Sequence, residues 1–234
     1  MCVGIISRHL IIPIHWFGDR VAYEKSKVKI VTIGLNPSHM EFRERVENPF
    51  STHTRFRLYQ SDHPETLTLA LNAYFREKPY KVWFNAFEHV LNGMNASYYD
   101  YKQLPYCAIH TDICSPWATD PTWSKLPNVL KEDLYREGES QRARLIHELK
   151  PNIILASLGN EYIEKLGIEN SRSVFYQFEY KKNEEKRTKP EIIWKYEYHG
   201  IPIINGRAWQ TPFAKLSEEA RNDLGRMIME RLLQ

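Results

Sequence analysis

Cysteine is scarce in this 234-residue chain, which has only Cys2, Cys107 and Cys114 and no CxxC pair. That spacing offers no disulfide framework, no cysteine-rich zinc site and no iron–sulfur ligand set, and the odd count fits a reducing, cytoplasmic setting. Also missing is any uninterrupted apolar run of the roughly 18–20 residues that a spanning helix needs, so no membrane partner is expected. In the apolar opening MCVGIISRHLIIPIHWFGDR, Arg8, His9, Pro13, His15 and Asp19 break the stretch and no small-residue cleavage site follows, so it reads as part of the domain. Ten glycines and 13 prolines are too few for a collagenous or low-complexity chain. Charge of one sign is not in excess either: 32 Lys and Arg face 29 Asp and Glu, and a formal +3 identifies no partner without clustering. HExxH, GxSxG, GxGxxG and a P-loop lysine are all absent, which leaves metalloprotease, α/β-hydrolase and nucleotide-clamp readings without support. No metal or cofactor is expected.

What remains is a chain with 42% hydrophobic residues and room for a real core. The clearest strand is KVKIVTIG, residues 27–34, a β-branched run stopped by Leu-Asn-Pro. YCAIHTDI, residues 106–113, also runs into a proline loop, CSPWATDPTWSKLP. PNIILASLG, residues 151–159, lies between the helical stretches LYREGESQRARLIHELK and EYIEKLG. Beyond the charged run KKNEEKRTKPE, IIWKYEYHG and IPIING form one strand, or two joined as a hairpin at His199-Gly200. TLTLALNAYFREK and VWFNAFEHVLNG carry helical pattern and suit a crossover. LSEEARNDLGRMIMERLLQ is a final helix, with Ser217 as a cap lacking the full capping box and Leu224, Met227, Met229 and Leu232 as its packed face. Strands separated by helices, with polar loops at their C-terminal ends, predict an open α/β sandwich whose site lies outside those ends. A single domain over 1–234 is expected, with 181–191 a charged surface loop, and no coiled-coil pattern argues against a monomer.

Three polar loops gather candidate chemistry. GLNPSHMEF offers Asn36, Ser38, His39 and Phe42: an amide able to hold a water and a ring able to stack on a base, unless the segment is only an Asx/proline turn. In IHTDICSPWAT, His110 and Asp112 stand at i and i+2, which turns both to one face of a strand. Such a pair reads a base edge, activates water or stabilises a positive sugar. Cys114, Trp117 and Trp123 follow, as packing groups or as stacking platforms. INGRAWQTPF adds Asn205, Arg207, Trp209, Gln210 and Thr211, in which an arginine suits phosphate and a tryptophan suits a gap in a duplex. SLGNEY, residues 157–162, is either a plain turn or a set of backbone NH groups facing a phosphate.

Together these motifs resemble the uracil-DNA glycosylase superfamily. VTIGLNPSHMEF is similar to its first motif, AIHTDICSPW to its second-strand motif, PNIILASLGNEYIEKL to the strand, turn and helix that follow, and IPIINGRAWQTPF stands where its closing loop would be. The resemblance implies a three-layer α/β/α sandwich with a short, mostly parallel sheet, and a monofunctional DNA glycosylase that flips out a damaged or modified base and hydrolyses its N-glycosidic bond. It makes Asn36 and Asp112 catalytic, His39, Phe42 and His110 base-binding, and Asn205, Arg207, Trp209 and Gln210 DNA-binding. His110 replaces the family's uracil-reading asparagine, which implies a base other than uracil, such as a modified pyrimidine, and Gly206-Arg207 replaces its Pro-Ser, which implies an altered DNA-intercalation loop. Two other readings stay open: a non-catalytic nucleic-acid-binding module and a hydrolase of free nucleosides or nucleotides.

Overall fold

A computed structural model describes residues 12–38, 41, 55–60, 62–179, 181–182, 185–186, 190–207 and 211–233. In chain order the elements are α1 (Arg20–Lys25), β1 (Ile30–Gly34), α2 (Thr66–Ala73), α3 (Lys81–Gly93), β2 (Ala96–Ser97), β3 (Tyr106–Asp112), α4 (Asn128–Leu149), β4 (Ile153–Ala156) and α5 (Asn160–Lys165). They continue with β5 (Ser173–Phe178), β6 (Lys181–Lys182), β7 (Glu185–Lys186), β8 (Glu191–Tyr198), β9 (Ile201–Asn205) and α6 (Glu218–Leu232).

Seven strands form a mixed, mostly parallel sheet in the order β2-β3-β1-β4-β9-β8-β5, flanked by helices. β1 pairs with β4 and β4 with β9 in parallel, whereas β8 runs antiparallel to both β9 and β5. The reason is legible in composition: IVTIG and IILA are buried at every position, as strands covered on both faces must be. The alternative left open at residues 199–200 resolves as a hairpin. His199 and Gly200, at φ 50° and 80°, form the two-residue turn whose twist suits adjacent antiparallel strands. The charged run at 181–191 contains a short antiparallel pairing of β6 with β7.

Over the described residues the chain divides into two compact units, Met1–Val21, Gly34–Tyr80 and Ile109–Lys150 in the first and Ala22–Ile33, Lys81–Ala108 and Pro151–Gln234 in the second. In the second unit, α3 buries Phe84, Phe87, Val90 and Leu91, a helical stripe, and Phe87 meets Phe213 edge-on at 5.9 Å. α6 packs on α3 at two glycines: a Cβ on Gly93 would stand 2.0 Å from the Asn222 carbonyl, and one on Gly225 would stand 2.1 Å from that of Val90. Ser217 caps α6 by accepting from the Ala220 amide at 3.1 Å, as the sequence suggests. The packed face of that helix differs from expectation. Leu224, Gly225 and Ile228 are its buried residues, while Met227, Met229 and Leu232 are only part-covered, because the backbone contact at Gly225 rotates the stripe toward Ile228. Glu88 is buried beside these elements and fully engaged, accepting from Ser97 Oγ, the Tyr98 amide and Lys102 Nζ. No helix among the described residues is long and apolar enough to cross a membrane.

Candidate functional site

β1 stops where Leu-Asn-Pro follows Gly34, because proline removes a ladder donor and fixes its own φ. The turn that results is held by backbone bonds on the carbonyls of Gly34, Leu35 and Pro37: Ile113 N to Gly34 O at 3.2 Å, Cys114 N to Leu35 O at 3.1 Å and Thr119 N to Pro37 O at 3.1 Å. These place the turn of Asn36 against the loop that leaves β3. Asn36 Nδ2 donates to Pro37 O at 2.7 Å and to Thr119 Oγ1 at 3.3 Å. Its carbonyl oxygen Oδ1 is buried and has no hydrogen-bond partner among the described residues. Such an acceptor is costly to leave unsatisfied, so its position marks a place where a donor is expected.

His110 and Asp112 turn to the same face of β3, as their spacing predicts, with Nε2 and Oδ1 3.6 Å apart. Both side chains are at least nine-tenths buried. The separation is an ion-pair distance and too long for a direct hydrogen bond, so the carboxylate keeps capacity for another donor. The imidazole is backed by Phe17, whose ring lies 6.0 Å away and whose backbone exchanges bonds of 2.8 and 2.9 Å with that of His110. Gly34 covers the pair from above: a Cβ there would stand 2.5 Å from Asp112 Oδ1 and 3.1 Å from His110 Nε2.

A second acidic side chain, which the sequence reading passed over, belongs to the same unit. Glu41 is buried, and its Oε1 accepts a hydrogen bond from the Tyr74 hydroxyl. Tyr74 OH also accepts from the Tyr80 amide at 3.0 Å, and its ring packs on Phe17 at 4.2 Å and Phe56 at 5.6 Å. The nearby Arg55 guanidinium bonds the Glu41 main-chain carbonyl rather than its carboxylate. Burial therefore dominates and raises the Glu41 pKa to about 8, with the charge of Asp112 adding to the rise and Tyr74 and Arg55 opposing it. Glu41 is protonated at neutral pH. Burial raises the Glu88 pKa as well, but there the Lys102 ammonium opposes the rise, whereas among the described residues no ammonium bonds the Glu41 carboxyl.

The other expected site residues fall elsewhere. His39, Phe42, Trp209 and Gln210 lie outside the described residues. Asn205 ends β9 in the second unit, where its amide is spent on one residue: Oδ1 accepts from Leu158 N at 3.0 Å and Nδ2 donates to Leu158 O at 3.2 Å. Arg207 is exposed two residues on. Ser157 Oγ donates to Gly206 O at 3.0 Å, so the SLGNEY turn is tied to that same loop. Cys114 is buried packing, and Trp117 and Trp123 are half-buried. No family model, curated protein or solved structure matches this chain. The site is therefore read from its own chemistry. It has a buried amide oxygen without a hydrogen-bond partner among the described residues, a buried Asp112 side chain beside an imidazole, and a second carboxyl whose pKa burial raises to about 8. Among the described residues no three or more His, Cys, Asp or Glu side chains converge to hold a metal ion.

Proposed function

We propose that the chain hydrolyses the N-glycosidic bond of a modified base in DNA, in the manner that its resemblance to the uracil-DNA glycosylase superfamily implies. The observation that carries this reading is the unsatisfied Asn36 Oδ1 in the turn after β1, in the same compact unit as the His110–Asp112 pair. Hydrolysis at a sugar carbon needs a positioned water and a negative charge beside a developing oxocarbenium ion. Asn36 Oδ1 supplies the acceptor that orients the water, and Asp112 supplies the charge. His110 reads the edge of the base in the position where the superfamily uses an asparagine.

Glu41 adds a role that the resemblance does not contain. Two carboxyl groups in different environments, one protonated at pH 7, form an acid and base pair in the general sense. The balanced step breaks the bond between C1′ and the base nitrogen, adds the water oxygen to C1′ and passes the water proton to Asp112. Glu41 is the proton source for the leaving base. Phe42 stacks on the extruded base, while Arg207, Trp209 and Gln210 contact the DNA strand.

Base release from defined DNAs tests the proposal, with uracil and bulky modified cytosines in single and double strands, read by mass spectrometry beside Asp112→Asn. Release from at least one substrate, lost in Asp112→Asn while the fold persists, is the expected result. Release from free nucleosides but not from DNA transfers the reading to a nucleoside hydrolase. Salt-sensitive DNA binding with no release replaces it with a binding module.

A further inference from the structure

The first unit holds a chain of hydrogen bonds that ends on the carboxyl group of Glu41. Tyr74, the residue that follows α2, is fully buried, and its ring packs against Phe17 at 4.2 Å and Phe56 at 5.6 Å, with Phe75 edge-on at 5.1 Å. That packing fixes the direction in which the hydroxyl points. The Tyr80 amide donates to the hydroxyl oxygen at 3.0 Å, and the hydroxyl in turn donates to Glu41 Oε1.

The main chain on both sides of that bond belongs to the same frame. Glu41 N donates to Ser38 O at 2.9 Å. Arg55 joins the Glu41 carbonyl to the segment that carries Tyr80: its Nε donates to Glu41 O, its Nη1 donates to Lys78 O at 2.5 Å, and its guanidinium lies 5.4 Å from the Tyr80 ring centroid. A cation able to pair with the carboxyl is thus engaged by carbonyls instead. Asp112 on β3, beside His110, is a further charge whose field reaches Glu41, and it favours the neutral form.

The direction of donation decides which oxygen carries the Glu41 proton. A neutral carboxyl has one carbonyl oxygen, the better acceptor, and one hydroxyl oxygen that donates. Oε1 receives the phenol proton, so Oε1 is the carbonyl and Oε2 holds the hydrogen. A proton on Oε1 would meet that of the phenol head-on. Among the described residues no hydrogen bond ends on Oε2. The carboxyl therefore offers its proton from one atom, directed away from Tyr74. Without the phenol, either oxygen could carry it, and only part of the population would present it in a given direction.

We infer that Tyr74 is a positioning residue, which holds the Glu41 proton on Oε2 so that a single atom delivers it to the departing base. The delivery rests on the hydrolysis proposed above, whereas the placement of the proton rests on the hydrogen bonds alone. In that step the bond between C1′ and the base nitrogen breaks with its electron pair going to the base, and the base takes the proton from Oε2. Glu41 is left as a carboxylate that the phenol bond stabilises, and the proton that Asp112 took from water then restores it.

Tyr74→Phe keeps the ring against Phe17 and Phe56 and removes the hydroxyl alone. In the full chain, carbon-13 NMR of the Glu41 carboxyl, assigned with Glu41→Gln, reads its titration, and single-turnover base release across pH reads its use. Circular dichroism checks that both variants fold. The phenol bond opposes the rise in the Glu41 pKa, so Tyr74→Phe is expected to titrate at higher pH than the parent and to move the alkaline limb of release upward with it. The rate on the acid side of that limb is expected to fall about tenfold or more, with little change in the DNA concentration that half-saturates it. A purely structural hydroxyl would lower the melting temperature and move none of these. An unshifted titration in Tyr74→Phe overturns the inference, and so does a shifted titration with release at the parent rate. If the parent releases no base from any DNA while the titration shifts as expected, the hydrolysis fails and the placement of the proton stands.

Discussion

Gly34 stands directly over Asp112, so close that a single added carbon would meet Oδ1 at 2.5 Å. Neither side can yield cheaply, because β1 is buried throughout and Asp112 is confined beside His110. Gly34→Ala is expected to cost about 1–3 kcal/mol by overpacking and to displace the carboxylate. Urea unfolding measures the first effect. Base release under conditions where the variant remains folded measures the second, and normal release would show that Asp112 does not need its present position.

Removing Asn36 separates stability from chemistry. The amide makes one hydrogen bond within its own turn, to Pro37 O, and one to Thr119 in the loop after β3, so Asn36→Ala is expected to destabilise the chain by about 1–2 kcal/mol. If Oδ1 orients the attacking water, base release falls about a hundredfold or more. Single-turnover kinetics on the released base read this directly, and a rate within a few-fold of the parent would remove Asn36 from the mechanism.

Glu41 gives the protein an uncommon pH dependence. A carboxyl with its folded pKa raised from 4.5 to about 8 binds more protons folded than unfolded between those values. Stability contributed through this group is therefore greatest below about pH 4.5 and declines as pH rises to about 8. The parent chain should lose melting temperature over the upper half of that window, and Glu41→Gln should flatten the loss while keeping a group able to bond Tyr74 OH. The same variant separates the catalytic role, since a glutamine cannot donate the carboxyl proton. Base release is expected to fall and to lose its alkaline limb near pH 8.

Arg142 holds the loop behind the site. It is buried in α4 and donates to the carbonyl of Ile113, the residue after Asp112, and to Tyr135 Oη at 3.3 Å, with its guanidinium 4.9 Å from the Tyr135 ring centroid. Arg142→Met keeps the stem but leaves the Ile113 carbonyl without this donor. A loss of roughly 2–3 kcal/mol is expected in thermal or urea unfolding. Arg142→Lys should recover only part of it, because an ammonium lacks the planar fork.

The strands readable from the sequence were those that carry their own punctuation. IVTIG stops at a proline turn, IILA sits between helical stretches, and His199-Gly200 marks a hairpin, so local chemistry and tertiary position agree. β5 had no such signal. SVFYQF is largely exposed or half-exposed, and it joins the sheet only because β8 pairs with it from beyond the charged run. The site divides in the same way. His110 and Asp112 share a face by strand parity alone, whereas Asn205 looked like a ligand contact and is used as a clasp on Leu158. Glu41 was passed over because nothing beside it marks it as buried. Its surroundings come from Tyr74 and Phe56, which only the fold brings near.

The paired glycines of α3 and α6 also set an order of events during synthesis. Gly93 and Gly225 let two helix backbones touch, and each carries no side chain that would cover the other helix's absence. Until α6 emerges from the ribosome, the face of α3 around Phe87 and Val90 has no cover from it, while β2 through β9 are being made. In that interval the uncovered apolar stripe is the kind of transiently exposed surface that makes an incompletely folded chain prone to aggregate.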